Sequence, residues 1–270
     1  MQSEETRQIG LVTLAGAGSG DPELITLKLA RRLAEADVIL TDRLVNPSII
    51  EEHASAHANI VLTGKQGYSS NSMKQEEITE LILRYALEGK RVLRLKGGDV
   101  AIFSNVLDEL EALAKNGVPF EIIPGITAAS AASAYAGIPL TARGYARAVQ
   151  FLSFHASDFY VTEKWKTLAN SQDTLVFYMS ARKVVDLAEL LLRYTRQPDT
   201  PVAVVEQAST TEQQIFTSTL AKASADFSGK EFVSPSLVIV GKVVSLYPTF
   251  NWFHPIGEHA KAFVELPDEI

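Results

Sequence analysis

The stretch IGLVTLAGAGSGDPELITLKLARRLAEADVIL, Ile9 to Leu40, decides the fold. Residues 9–15 form an apolar run short enough to be a buried strand. GAGSGD, Gly16 to Asp21, follows at once, and glycines permit a tight turn free of side-chain clash. Asp21 is a predicted N-cap, and Pro22 suits the first turn of a helix. Leu24, Leu27, Ala30 and Leu33 then recur at helical spacing within a helix expected over residues 23–36. Residues 37–40 give a second short strand. A strand, a glycine turn, a helix and a strand make the opening unit of a parallel α/β layer.

The alternation continues outward. Residues 59–62 and 91–95 read as further strands, with a helix over 74–88 between them. A helix over 106–116 and a strand over 120–123 follow. After Pro124 the run GITAASAASAYAG is small and helix-compatible, and it ends at Gly137-Ile138-Pro139. Strands at 149–153, 174–179, 202–206, 213–218 and 236–240, with an amphipathic helix over 183–194, make a strand-rich second half. The expected organisation is an N-terminal α/β domain (8–123), a C-terminal α/β domain (124–253) and a charged tail (254–270), an appended helix or a disordered end. No internal repeat is evident.

Composition narrows the function classes. The chain has 270 residues, 46% of them hydrophobic, enough for a sizeable core. Its formal net charge of -7 lacks the basic footprint of a general nucleic-acid binder. There is no cysteine, which removes disulfides, zinc-thiolate sites and a thiol nucleophile. The polar, acidic start MQSEETRQIG lacks the basic and apolar regions of a secretory signal, and no apolar stretch has the length of a membrane span. The expectation is a soluble cytoplasmic enzyme with neither a nucleic-acid nor a membrane partner. His53 and His57 stand four apart, but HASAH lacks the glutamate of H-E-x-x-H, and solvent-facing helix positions suit them better. No metal is expected.

The glycine turn first suggests a nucleotide. A dinucleotide fingerprint needs G-x-G-x-x-G, whose third glycine allows close helix–strand packing. Gly16 and Gly18 match, but Asp21 holds the third place and Gly20 comes one residue early. A carboxylate there would also repel a pyrophosphate at the helix start. On spacing alone the stretch reads as well as a tight strand-to-helix turn with an aspartate cap, and the oxidoreductase reading falls below that.

Longer motifs carry a resemblance. GAGSGDPELITLKLARRLAEADVILTDRLV at 16–45, RLKGGD at 94–99 and PGITAASAASAYAGIPLT at 124–141 occur in order, followed by TLVFYM at 174–179, PVAVVE at 201–206 and SPSLVIVGKVV at 234–244. Together they resemble the uroporphyrinogen-III C-methyltransferases of the tetrapyrrole methylase family, over nearly the whole chain. The resemblance implies two α/β domains, a mainly parallel N-terminal sheet and a mixed C-terminal sheet with the active cleft between them, and a homodimer. It implies transfer of two methyl groups from S-adenosylmethionine to uroporphyrinogen III, giving precorrin-2 for sirohaem and cobalamin biosynthesis, with S-adenosylhomocysteine as the other product.

The same resemblance assigns roles by position. Asp42 matches a proposed proton acceptor; as a residue it reads equally as a cap or as a partner of Arg43. Lys65, in TGKQG, matches a proposed proton donor, although an unperturbed lysine releases its proton poorly near neutral pH and a charge contact to substrate suits it better. Ser19, Gly97, Gly98, Asp99, Ile102, Thr127, Ala128, Met179 and Ala208 align with cofactor-contacting positions. Ser19 stands where the family usually has proline, and Ala208 where it has glycine. Because the substrate carries many carboxylates, Arg43, Arg94, Lys96, Arg143 and Arg147 join Lys65 as candidate cations, arginine being suited to bidentate contact.

Two segments depart from the family pattern. Where GGD usually continues P-F-I-F-G-R-G-G-E-E, this chain has Val100-Ala101-Ile102-Phe103 and then SNVLDE, which reads as helical. T-H-R-D-Y becomes Thr141-Ala142-Arg143-Gly144-Tyr145. These departures keep open a related precorrin methylase and a non-catalytic tetrapyrrole-binding protein. An rRNA ribose methylase and a diphthine synthase share the superfamily, and the acidic balance counts against the rRNA reading.

Overall fold

The computed structural model describes residues 8–64, 73–155, 162–195, 197–255 and 262–263. The chain divides into two compact units, with the division between Thr127 and Ala128.

The first unit holds a five-stranded sheet: β1 (Val12–Gly16), β2 (Val38–Thr41), β3 (Asn59–Leu62), β4 (Val92–Lys96) and β5 (Phe120–Ile123). Their order is β3-β2-β4-β1-β5, all parallel. The three central strands are buried throughout, which is why they read as apolar runs. The edge strands β3 and β5 are partly exposed. Four helices connect them: α1 (Leu27–Glu35), α2 (Pro47–His53), α3 (Gln75–Leu87) and α4 (Leu107–Lys115). Successive strand residues point to opposite faces, so two cores form. Val12, Leu14, Val38, Leu40 and Val92 meet α3 and α4 through Ile78, Ile82 and Leu113. Ala15, Ile39, Leu93 and Leu95 meet α1 and α2 through Leu29, Leu33 and Ile49.

This winding positions a site. From the end of β2 the chain turns outward to β3 on the α2 face. From the end of β4 it crosses to β5 on the α4 face. Adjacent strands whose continuations part to opposite faces leave a crevice at their carboxyl ends, where ligands of open α/β sheets bind.

The second unit carries a mixed sheet of β6 (Val149–Ser153), β7 (Thr174–Tyr178), β8 (Pro201–Glu206), β9 (Gln214–Thr219) and β10 (Ser236–Val240), in the order β6-β7-β10-β8-β9. β6 and β7 are parallel; β10 runs antiparallel to β7 and to β8. β7 and β8 therefore end at the same sheet edge. Its helices are α5 (Ala128–Ala136), α6 (Thr162–Ala169), α7 (Val184–Tyr194), α8 (Ala223–Phe227) and α9 (Tyr247–Phe250). Trp165 is fully buried, stacked on Phe177 and edge-on to Phe154, in a core that α7 completes with Leu187, Leu190 and Leu191.

Three expectations change. Asp21 caps only a short 3-10 turn at Pro22–Leu24, and α1 starts later, with Thr26 accepting from the Leu29 amide as its true cap. The buried face of α1 is accordingly Leu29 and Leu33, while Leu27 is exposed. Residues 100–106 are not helical; Phe103 and Asn105 both take left-handed backbone (φ 53 and 51), and α4 begins only at Leu107. His53 ends α2 and His57 lies beyond it. Most of the charged tail lies outside the described residues.

Candidate active site

The loops after β1, β4 and β5 converge backbone to backbone. The Gly18 amide donates to the Gly98 carbonyl at 3.1 Å, and the Gly98 amide returns to the Gly18 carbonyl at 2.6 Å. A Cβ on Gly16 would lie 2.5 Å from the Gly98 oxygen and 2.8 Å from the Gly125 nitrogen. A Cβ on Gly125 would lie 2.3 Å from the same oxygen. Only glycine fits at either place, and the result is a cradle walled by main chain. Asp99 ties it together: one carboxylate oxygen accepts from the Ala101 amide (2.8 Å), the other from the Gly125 amide (2.9 Å).

Asp42 stands beside this cradle, just past β2. Its Oδ1 accepts from the Leu44 amide at 3.0 Å, and its Oδ2 faces the Gly97 amide at 3.4 Å. The β2 and β4 loops also touch directly, since a Cβ on Gly97 would lie 2.6 Å from Leu44 Cβ. Asp42 is thus an internal cap of its own turn and remains half-buried rather than sealed. Arg43 is half-buried next to it.

Arg94 and Lys96 point elsewhere. They occupy alternate positions on β4, hence one face, and both are buried. Glu109, in the first turn of α4 and with no exposure, receives Arg94 Nε at 3.1 Å and Lys96 Nζ at 2.9 Å. The Gln75 amide donates to it as well at 3.2 Å. The Arg94 guanidinium also donates to the carbonyls of Leu40 and Leu95. Burial lowers the proton affinity of Lys96, while Glu109 and, more distantly, Asp42 hold it up. Two cations are set against one carboxylate inside the unit instead of being offered to a ligand. The alternation of Arg94 and Lys96 in an otherwise apolar strand marks that a partner must face them, without saying whether it is a ligand or a buried acid. Glu109 itself was not singled out from sequence.

Where β7 and β8 end in the second unit, the backbone is strained. Met179, at the end of β7, has φ 57 and is 68% exposed. Gln207 and Ser209, which flank Ala208 after β8, have φ 45 and 65. Non-glycine residues held left-handed persist only where surrounding contacts fix them, and they concentrate at functional sites. Here the Ser209 amide donates to Gln213 Oε1 (2.9 Å), and the Gln213 side chain donates to the Tyr135 carbonyl of α5 (3.2 Å). Nearby, the Ala129 amide in the first turn of α5 donates to the Tyr178 hydroxyl. Arg143 and Arg147 are exposed on a tight turn closed by Ala142 and Ala146, without hydrogen bond or ion pair among the described residues.

Of the other residues anticipated from sequence, Ser19 is buried in the glycine loop, and Ile102, Thr127 and Ala128 are half-buried. Lys65 lies outside the described residues. Among the described residues no group of acidic, histidine or cysteine side chains could hold a metal ion, and no helix is long and apolar enough to cross a membrane.

Parallel strands with glycine loops meeting at their ends in one unit, and a mixed sheet with strained strand ends in the other, define a two-unit α/β protein. The chain belongs to the tetrapyrrole (corrin/porphyrin) methylase family, whose model matches residues 11–224. It is 45% identical over 247 residues to a sirohaem synthase of Pseudomonas putida (strain W619), covering 92% of this chain and 53% of that protein. The chain spans about half the length of the curated relatives it matches. Its fold is shared with uroporphyrin-III C-methyltransferase from Thermus thermophilus, at 36% identity and TM-score 0.73, covering 89% of this chain and 96% of that one. A second structure of the Thermus protein, complexed with S-adenyl homocysteine, has the same TM-score and identity over 88% of this chain and all of that one. Cobalt precorrin-4 methyltransferase is 26% identical, with TM-score 0.77, over 87% of this chain and 95% of the other.

Proposed function

We propose that the chain is an S-adenosylmethionine-dependent C-methyltransferase that adds two methyl groups to uroporphyrinogen III and yields precorrin-2. The observation that carries this reading is the main-chain cradle of Gly16, Gly98 and Gly125 with Asp42 beside it. A cradle that a single Cβ would fill suits a ligand lying close against backbone, and the Thermus relative complexed with S-adenyl homocysteine supports that choice. Ser19, Gly97, Gly98, Asp99 and Ile102 on the first unit, and Thr127, Ala128, Met179 and Ala208 further along the chain, are assigned to the cofactor. When bound, the cofactor supplies an electrophilic methyl group on a sulfonium.

The chain's own residues then have three tasks. The glycine loops fix the donor's position, and orientation is worth much of the barrier in such a transfer. Asp42 accepts the proton that the macrocycle releases once its carbon has gained a methyl. Arg43, Arg143 and Arg147 pair with substrate carboxylates, with Lys65 as a further contact. Arg94 and Lys96 are left out of this set because Glu109 already engages them. The proposal places the enzyme in the cytoplasm as a homodimer, with no nucleic-acid or membrane partner. The net charge of -7 supports the exclusion of nucleic acid.

A second reading is another precorrin methylase. The left-handed Phe103 and Asn105, in place of a glycine- and arginine-rich run, favour it. Offering methyl-labelled cofactor with uroporphyrinogen III or with an already methylated precorrin separates the two. Label in uroporphyrinogen III supports the first reading; label only in the methylated macrocycle supports the second.

A further inference from the structure

Arg94, Lys96, Glu109 and Gln75 form the most buried charged cluster among the described residues, and the reaction outlined above gives it no task. Both strand cations are about 95% buried and Glu109 is wholly so. The cluster carries two positive charges and one negative, so one positive charge is left over inside the unit. Uncompensated charge at such burial is costly unless something answers it. Lys96 is the last residue of β4. The next residue, Gly97, aims its amide at Asp42 Oδ2. The Asp42 amide, in turn, donates to the Leu95 carbonyl of the same strand. The surplus charge therefore belongs to the strand whose end meets Asp42, and Lys96 and Asp42 interact electrostatically.

We propose that Lys96 and Glu109 are positioning residues for Asp42: the cluster leaves one positive charge at the β4 terminus, which draws the Asp42 carboxylate toward the Gly97 amide. Glu109 sets how much charge is left and pins Lys96 to α4, so the strand end cannot relax. The electrostatic support runs the other way too, since Asp42 helps Lys96 keep its proton. Among the described residues, the charged groups on the surrounding elements are Arg94 and Lys96 on β4, Glu109 on α4, Arg43 on Asp42's own loop and Asp99 on the loop after β4. Thr63, past the end of β3, presents only a hydroxyl, bonded to the Thr41 carbonyl. Asp99 is committed to two amides, and its negative charge opposes rather than replaces the role of Lys96.

The inference rests on Asp42 being the proton acceptor, and its test uses charge arithmetic in the full chain. The cluster's net charge is +1 in the native protein, 0 in Lys96→Met, +2 in Glu109→Gln and +1 again in the double variant. The acid limb of the single-turnover methyl-transfer rate is measured against pH in all four, with cofactor saturating. Lys96→Met should move the limb up by about half a pH unit and Glu109→Gln down by as much, while the double variant returns it to the native position. A cluster that acted only through packing would leave the limb in place and make the double variant the slowest. Should Glu109→Gln fail to fold, Lys96→Met against the double variant gives the same comparison. 13C NMR titration of the Asp42 carboxylate needs no turnover, and it should show the same up, down and restored order. Unmoved titrations in folded variants overturn the inference. Absent turnover with shifted titrations instead overturns the assigned reaction and leaves the charge coupling standing.

Discussion

Replacing Gly125 by alanine places a methyl carbon 2.3 Å from the Gly98 oxygen and 2.7 Å from the Gly16 carbonyl carbon. All the obstructing atoms are main chain, so no side chain can swing aside. The β4 and β5 loops must separate, and the bond from the Gly125 amide to Asp99 loosens with them. Gly125 does not have positive φ, so the effect is steric alone. Overpacking of this kind costs about 1–3 kcal/mol of stability. That corresponds to a melting temperature lower by about 3–10 °C for a chain of this size. Opening the cradle should also weaken S-adenosylhomocysteine binding at least about tenfold, or about 1.4 kcal/mol. Gly10→Ala is the matched control, since its Cβ would lie 1.9 Å from the Lys90 carbonyl oxygen, away from the cradle. It should destabilise comparably and bind the ligand normally. Calorimetric titration of both variants below their melting temperatures decides the matter. Native affinity in a folded Gly125→Ala protein would refute the assignment of the cradle to the cofactor.

Asp99→Ala removes the acceptor shared by the Ala101 and Gly125 amides, and it should weaken cofactor binding about tenfold or more with a stability loss of about 1–2 kcal/mol; a loss confined to stability would leave Asp99 a purely structural clamp. Arg143→Ala and Arg147→Ala, both exposed, should each raise KM for the anionic macrocycle about tenfold while melting temperature and cofactor affinity stay put. An unchanged KM in both removes the Ala142 turn from the substrate site. Glu121 on β5 is held down to about 2 by the Arg32 guanidinium first, with Lys28 and Thr13 adding hydrogen bonds. Because the folded value lies below the unfolded one, this stabilisation is present above about pH 4.5 and is lost as pH falls from there toward 2. Discounted for its partly exposed partners, it amounts to about 1–2 kcal/mol. Urea midpoints of Glu121→Gln should therefore match the native protein at pH 2 and fall below it at pH 7, and parallel curves would contradict the pairing.

Much of this architecture is written in local pattern. β3, β5, β6 and β10 have the bounds expected from the sequence, because β-branched and aromatic residues cluster there between turn residues, even where, as in β3 and β5, the strand is a partly exposed edge. The start of α1 is hidden because Asp21-Pro22 satisfies the rules for a helix cap equally well when it caps a 3-10 turn; Thr26 is the quieter cap. α2 had its signal in Asn46-Pro47, a capping residue before a first-turn proline, but seven residues give too little periodicity to read, as with α6, α8 and α9. The cradle was legible as glycines, but not as a meeting of three loops, since Gly16, Gly98 and Gly125 are distant in sequence. Arg94 and Lys96 show the deeper limit. A cation at a strand end looks the same whether it meets a ligand or a buried acid, and only the α4 packing that brings Glu109 opposite them tells the two apart. Likewise nothing in TLVFYM announces that Met179 is held left-handed and exposed.

The central claim is that this chain methylates an unmethylated uroporphyrinogen twice. The direct measurement is the product mass after incubating the purified protein with S-adenosylmethionine and uroporphyrinogen III under reducing, anaerobic conditions. The account predicts a macrocycle heavier by two methyl groups, with two equivalents of S-adenosylhomocysteine formed. An unchanged macrocycle in the presence of a protein that still binds S-adenosylhomocysteine would contradict it.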